Sequence, residues 1–224
     1  MEPQTDVGSL RQRHTSVDMA QSSFITIAAA ALTAVAFSAC GGDGGGSPDF
    51  TASDLAGLNF ARNELPRLEY QPDSSGPGAF SKDQKEEAKE EGDESGLRLL
   101  ERLQGLGLEA DHVSQFFATT RGAELNFVES ITFLFQNEEG AEKAVELVRQ
   151  ASADNIRPAK AIDAPELGEH AFGLRGEFDG SLTYSLGWRV GDVIQLIGVA
   201  PGEQGAAPDS TFQLAERLEA KAQD

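Results

Sequence analysis

Cys40 is the single thiol of a 224-residue chain whose three His lie at positions 14, 112 and 170. Thiols, imidazoles and carboxylates are the groups that change charge or attack near neutral pH, so their spacing is the first test for chemistry. His112 follows Asp111 and His170 follows Glu169. Neighbours on a strand point to opposite faces, so neither pair is a ready acid–base couple, and both His are expected at the surface. A zinc site needs three or four ligands, and the chain has no second Cys and no His-x-x-x-His, so no metal site is expected. Ser181 directly follows Gly180, and Ser185 has Thr183 and Gly187 two residues to either side, so the Gly-x-Ser-x-Gly elbow of serine hydrolases is absent. The glycines from Gly41 to Gly46 lack a following Gly-Lys-Ser/Thr, which leaves no phosphate cradle and no expected cofactor. These residues predict a protein that binds rather than reacts, with a cell-envelope hydrolase lacking the elbow as the alternative from the enzyme class.

Charge narrows the partners. Asp and Glu number 37 against 18 Lys and Arg, and the net charge of −19 repels phosphate backbones, so no nucleic acid is expected. The densest run, Lys82 to Glu94, holds seven acids and three Lys with Ala88 as its one apolar residue. It cannot bury a stripe, and Glu86 with Glu90 and Glu87 with Glu91 repel at helical spacing, which predicts a solvated arm rather than a calcium loop. Thirteen Phe with Trp188 and Tyr184 supply core volume. Some of them lining a cavity for a lipid or small molecule is the alternative binding mode.

The most informative segment precedes all of these. From Phe24 to Ala39 sixteen residues carry no charge, with Arg11 and Arg13 before them and small residues at the end. That order is an export leader, and it falls short of the roughly 20 apolar residues that span a bilayer. Phe37-Ser38-Ala39-Cys40, followed by a glycine run, resembles the lipobox of bacterial lipoproteins. The resemblance implies diacylglycerol on the Cys40 thiol and cleavage after Ala39, with Ser38 and Ala39 as the small flanking residues. Phe37 departs from the aliphatic usual at its place. The implied partner is the membrane, through the lipid anchor, and the implied location is its extracytoplasmic side. Removing residues 1–39 takes away Glu2, Asp6, Asp18, Arg11 and Arg13, so the remainder still carries −18. Residues 40–49 then form the lipidated Cys and a flexible tether, and residues 50–224 the cargo domain, with an envelope protein or an apolar ligand as its expected partner.

Periodicity gives that domain its elements. Leu125, Phe127, Ile131, Phe133 and Phe135 share one parity, the two-residue repeat of a strand, in which Glu129 interrupts the apolar face and marks a bulge. Asn137 caps a helix from Glu138 with Ala141, Ala144, Val145 and Val148 on its buried face. Leu182 to Val190 and Val193 to Val199 alternate around Gly191-Asp192, the pattern of a tight hairpin. Within it Arg189 faces away from Trp188, as an exposed contact or a surface cross-strand ion pair. Leu97, Leu99, Leu100 and Leu103 predict a helix ending near Gly105, and Val113 to Ala118 and Phe172 to Leu174 predict two further strands. Pro208-Asp209-Ser210 opens a last helix, with Ser210 and Gln213 at capping-box spacing. Helices alternating with hairpin-paired strands predict a single α+β domain, an antiparallel sheet packed by helices. The element order resembles small extracytoplasmic lipoprotein domains of actinobacterial type, PsbP-like ones among them.

Overall fold

The computed structural model describes residues 50–72, 75–77, 94–120, 122–202 and 208–223. Cys40, Ser38, Ala39, the leader, the tether and the acidic arm up to residue 93 lie outside the described residues. Glu94, the last acid of that arm, is the first residue of a helix.

Eight strands form one antiparallel sheet: β1 (Leu68–Tyr70), β2 (Gly76–Pro77), β3 (Leu108–Ala118), β4 (Leu125–Phe135), β5 (Lys160–Ile162), β6 (Glu169–Phe178), β7 (Ser181–Val190) and β8 (Val193–Pro201). Their order is β1-β3-β4-β8-β7-β6-β5, with β2 also paired to β3. The helices are α1 (Leu55–Leu58), α2 (Glu94–Gly105), α3 (Glu138–Asn155) and α4 (Pro208–Gln223). This is the α+β architecture that the alternation of the sequence predicts.

The sheet is buried on both faces. Under α2 and α3, Val113, Ile131, Phe133, Phe172, Ile194 and Leu196 meet Leu100, Leu103, Ala144 and Val148. On the other face Phe116, Val128, Leu186, Trp188, Ile197 and Val199 meet Phe60, Leu65 and, from α4, Leu214, Ala215 and Leu218. Among the described residues no helix is long and apolar enough to cross a membrane.

The local expectations are met at the hairpin and the α3 cap. Val190 pairs with Val193 across Gly191, whose φ of 59° is the left-handed value a two-residue turn needs. The Gly140 N–H donates to Asn137 Oδ1 at 2.9 Å. Three features differ. Glu129 stands in regular register, across from Gln115 on one side and Gly198 on the other, and the irregularity in β4 falls between Leu125 and Phe127. Ser210 lies inside α4, which begins at Pro208, and its hydroxyl reaches the Glu124 carboxylate instead of capping the helix. The strand expected from Val113 also starts earlier, at Leu108, because Leu108 joins the core under α2 and α3.

Gly140 generates a prediction. Helical Gly→Ala ordinarily stabilises by about 1 kcal/mol. Here a methyl group would drive into the backbone carbonyl of Leu106, where α3 begins against the end of α2. Gly140→Ala is expected to lower stability by about 2 kcal/mol in chemical unfolding. Gly57→Ala in α1, where nothing lies within 4 Å, serves as the neutral or mildly stabilised control.

Candidate functional site: polar groups buried against the sheet

With both faces covered, each polar side chain on a central strand must find its partner inside the protein. On the α1 and α4 face, β3, β4, β8 and β7 bring His112, Thr132, Gln195 and Trp188 into one row across the sheet. The segment leaving α1 passes over this row with helix-end carbonyls that no helical N–H can satisfy. Side-chain amides do so: Asn59 Nδ2 donates to Leu55 O at 2.9 Å and to Thr132 Oγ1 at 3.0 Å. Gln195 Nε2 donates to Leu58 O at 3.1 Å and to Leu218 O at 3.4 Å. The Phe60 N–H donates to Ser130 Oγ, and Lys221 Nζ donates to both Asn59 O and Glu64 Oε2 at 2.6 Å. Burial alone would raise the Glu64 pKa, but the Ala61 N–H and the Lys221 ammonium outweigh it and hold the carboxyl below its usual range. Each amide spends its N–H groups on the fold, and the acceptors Asn59 Oδ1 and Gln195 Oε1 are buried without a partner among the described residues.

The opposite face carries two buried acids. Glu129 is 1% exposed, and its Oε1 accepts from Gln115 Nε2 at 2.5 Å, while its Oε2 lies over Gly198, where no side chain competes for the space. Loss of water pushes its pKa up to about 7 despite the Gln115 hydrogen bond. Asp111 is 3% exposed, its Oδ2 has no partner among the described residues, and burial raises its pKa likewise to about 7. Ser185, the remaining polar neighbour in the Glu129 row, stands across from Gly198 and is buried.

At the far end of this face Arg189 donates to Gly191 O at 2.7 Å and is ion-paired with Glu169 and Glu138. Its cross-strand pairing with Glu169 matches the sequence reading, but the guanidinium is buried rather than exposed, because the start of α3 covers it. His112 also departs from expectation. It is buried on the α1 and α4 face of the sheet, and burial lowers its pKa, whereas Asp111 faces the other side. His170 is at the surface, in a left-handed conformation (φ 53°), with Nε2 3.7 Å from Glu142 and not paired with Glu169. The structure therefore brings neither His together with the acid beside it in sequence. Among the described residues no group of three His, Cys, Asp or Glu is placed to hold a metal ion.

The arrangement fastens chain segments to the sheet. The signals for it in sequence were polar residues at apolar parity, Glu129 between Phe127 and Ile131 and Gln195 between Val193 and Ile197.

No family model matches the chain, and no curated protein matches it either. A solved structure, the extracellular domain of PknH from Mycobacterium tuberculosis, shares the fold with a TM-score of 0.52 at 12% identity, over 80% of this chain and 99% of that one. At that identity the likeness is one of fold alone.

Removing the amide tests the structural role of this layer. Gln195→Ala leaves the helix-end carbonyl of Leu58 short of a donor and is expected to cost about 2 kcal/mol of unfolding free energy. Gln213→Ala, on the exposed side of α4, is expected to stay within about 0.5 kcal/mol of the parent in the same denaturant series.

Proposed function

We propose that this chain is an extracytoplasmic domain tethered to the membrane by lipid on Cys40, and that it works by binding a partner rather than by transforming a substrate. The observation that carries this reading is the place of Cys40, directly after an uncharged leader with small residues at Ser38 and Ala39 and directly before a glycine run. The fold shared with an extracellular domain supports the same side of the membrane. The use of the buried polar groups supports binding: Asn59, Gln195, Gln115 and Arg189 are engaged in holding segments to the sheet. An envelope protein is favoured over an apolar ligand as the partner. Phe60, Phe116, Phe133, Phe135 and Trp188, the rings a ligand cavity would use, are each at most 1% exposed and are packed in the two cores.

One acyl chain gives marginal attachment, whereas the two or three implied by the lipoprotein resemblance give lasting attachment. The intact mass of the membrane fraction is therefore expected to fit a chain beginning at Cys40 with a diacylglyceryl thioether. Incorporation of labelled fatty acid should fall to background in Cys40→Ala. An N-terminus elsewhere with a free Cys40 thiol contradicts the anchor. Turnover of an envelope substrate that one substitution at Ser185, His112 or His170 abolishes, in a variant that stays folded, contradicts the binding role.

A further inference from the structure

We propose that the edge of the sheet at β3 is a proton-controlled latch, in which β1 and β2 stay closed on β3 while Glu129 and Asp111 are protonated and loosen when these carboxyls ionise. The two acids lie on the same face of one antiparallel pair, Asp111 across from Phe133 and Glu129 across from Gln115, with Val113 and Ile131 between them. Gln115 joins this pair to the edge. Its side chain donates to Glu129, its N–H donates to Ser75 Oγ at 2.9 Å, and its carbonyl accepts from the Gln71 N–H at 2.9 Å. Gln71 directly follows β1, and Ser75 directly precedes β2, which pairs Gly76 with Val113 and Pro77 with His112.

Among the described residues no cation answers either carboxyl. From β1, Glu69 stands across from Phe117 on the same face, exposed and of like charge. From β8 and β7 come Gly198 and Ser185, which are uncharged. On α3, Lys143 and Arg149 are turned to Glu139 and Glu146, and Glu142 lies beside His170. On α2, Arg98 is turned to Glu94, and Glu101 and Arg102 are exposed. Arg189 is engaged at the far end of the face by Glu138 and Glu169. Ionising a buried carboxyl without a counter-charge is strongly unfavourable, so the fold must either keep the proton or let water in.

Water enters most cheaply at the edge. β4 is held on both sides by long ladders to β3 and β8, whereas the outer side of β3 is held by the three residues of β1 and the two of β2. The sign follows from the raised proton affinity. Both carboxyls bind protons more tightly folded, at about 7, than unfolded, at 3.8 and 4.5. Their stabilisation is complete below the unfolded values and is lost as pH rises to about 7. His112, on the opposite face and lowered by burial, acts in the other direction below the ordinary histidine range, so the gain flattens toward acid.

Amide hydrogen exchange of the full-length protein at about pH 6 and about pH 8, corrected for intrinsic rates, tests the latch. Protection of the Gln71 and Gln115 amides is expected to fall at least about tenfold more between those conditions than protection of Leu186 and Ile197 in β7 and β8. Glu129→Gln and Asp111→Asn should each shrink that difference, and if Glu129→Gln fails to fold, Asp111→Asn carries the test. A loss of protection spread evenly over the sheet, or an edge effect undiminished in the folded variants, overturns the proposal. Neither outcome depends on lipid at Cys40.

Discussion

Burial of the sheet on both faces is the constraint on which the other features of this domain depend. A half-exposed sheet sends its polar side chains to water, but β4 and β8 lie between helices on one side and the α1 segment with α4 on the other. Their buried polar side chains, Glu129, Ser130, Thr132 and Gln195, are desolvated and need partners in the protein. Thr132, Ser130 and Gln195 find theirs in the segment that leaves α1, and so give that segment its path. Gln115 and Glu129 find each other. Arg189 brings together the turn at Gly191, the start of α3 and the start of β6.

This division of labour separates residues that stand side by side in sequence. His112 and Asp111 are neighbours in the chain and lie on opposite faces of β3, each buried against different elements. The pairs that do form join distant parts: Gln195 to Leu58, Lys221 to Asn59, Gln115 to Glu129. Such contacts hold the layers in one arrangement.

What was legible in the sequence was what local periodicity determines. The hairpin around Gly191-Asp192, the α3 cap at Asn137 and the apolar stripes of α2 and α4 repeat within a few residues. Contacts made across the chain were not. Glu129 in an otherwise apolar parity reads as an irregularity, because nothing local announces a Gln donor on the adjacent strand. Arg189 reads as exposed, because the helix that covers it begins some fifty residues earlier in the chain, at Glu138. α1, β1 and β2 are too short to show a period: side chains of β4 and β8 hold the α1 segment, and the backbone of β3 holds β1 and β2. The anchor proposed at Cys40 rests on linear order alone, an uncharged leader and small residues before it and a glycine run after it.

The central claim is that double-sided burial makes the middle of this sheet the last part to open, with its polar residues serving the fold. Native-state hydrogen exchange over a denaturant series measures this directly. The account predicts that the amides of Thr132 in β4 and of Ile194 and Ile197 in β8 exchange only through global unfolding, with its full free energy and denaturant slope, while those of β5 exchange earlier. Exchange of Thr132 or Ile197 through a low-slope local opening, at a lower free energy than the β5 edge, would contradict it.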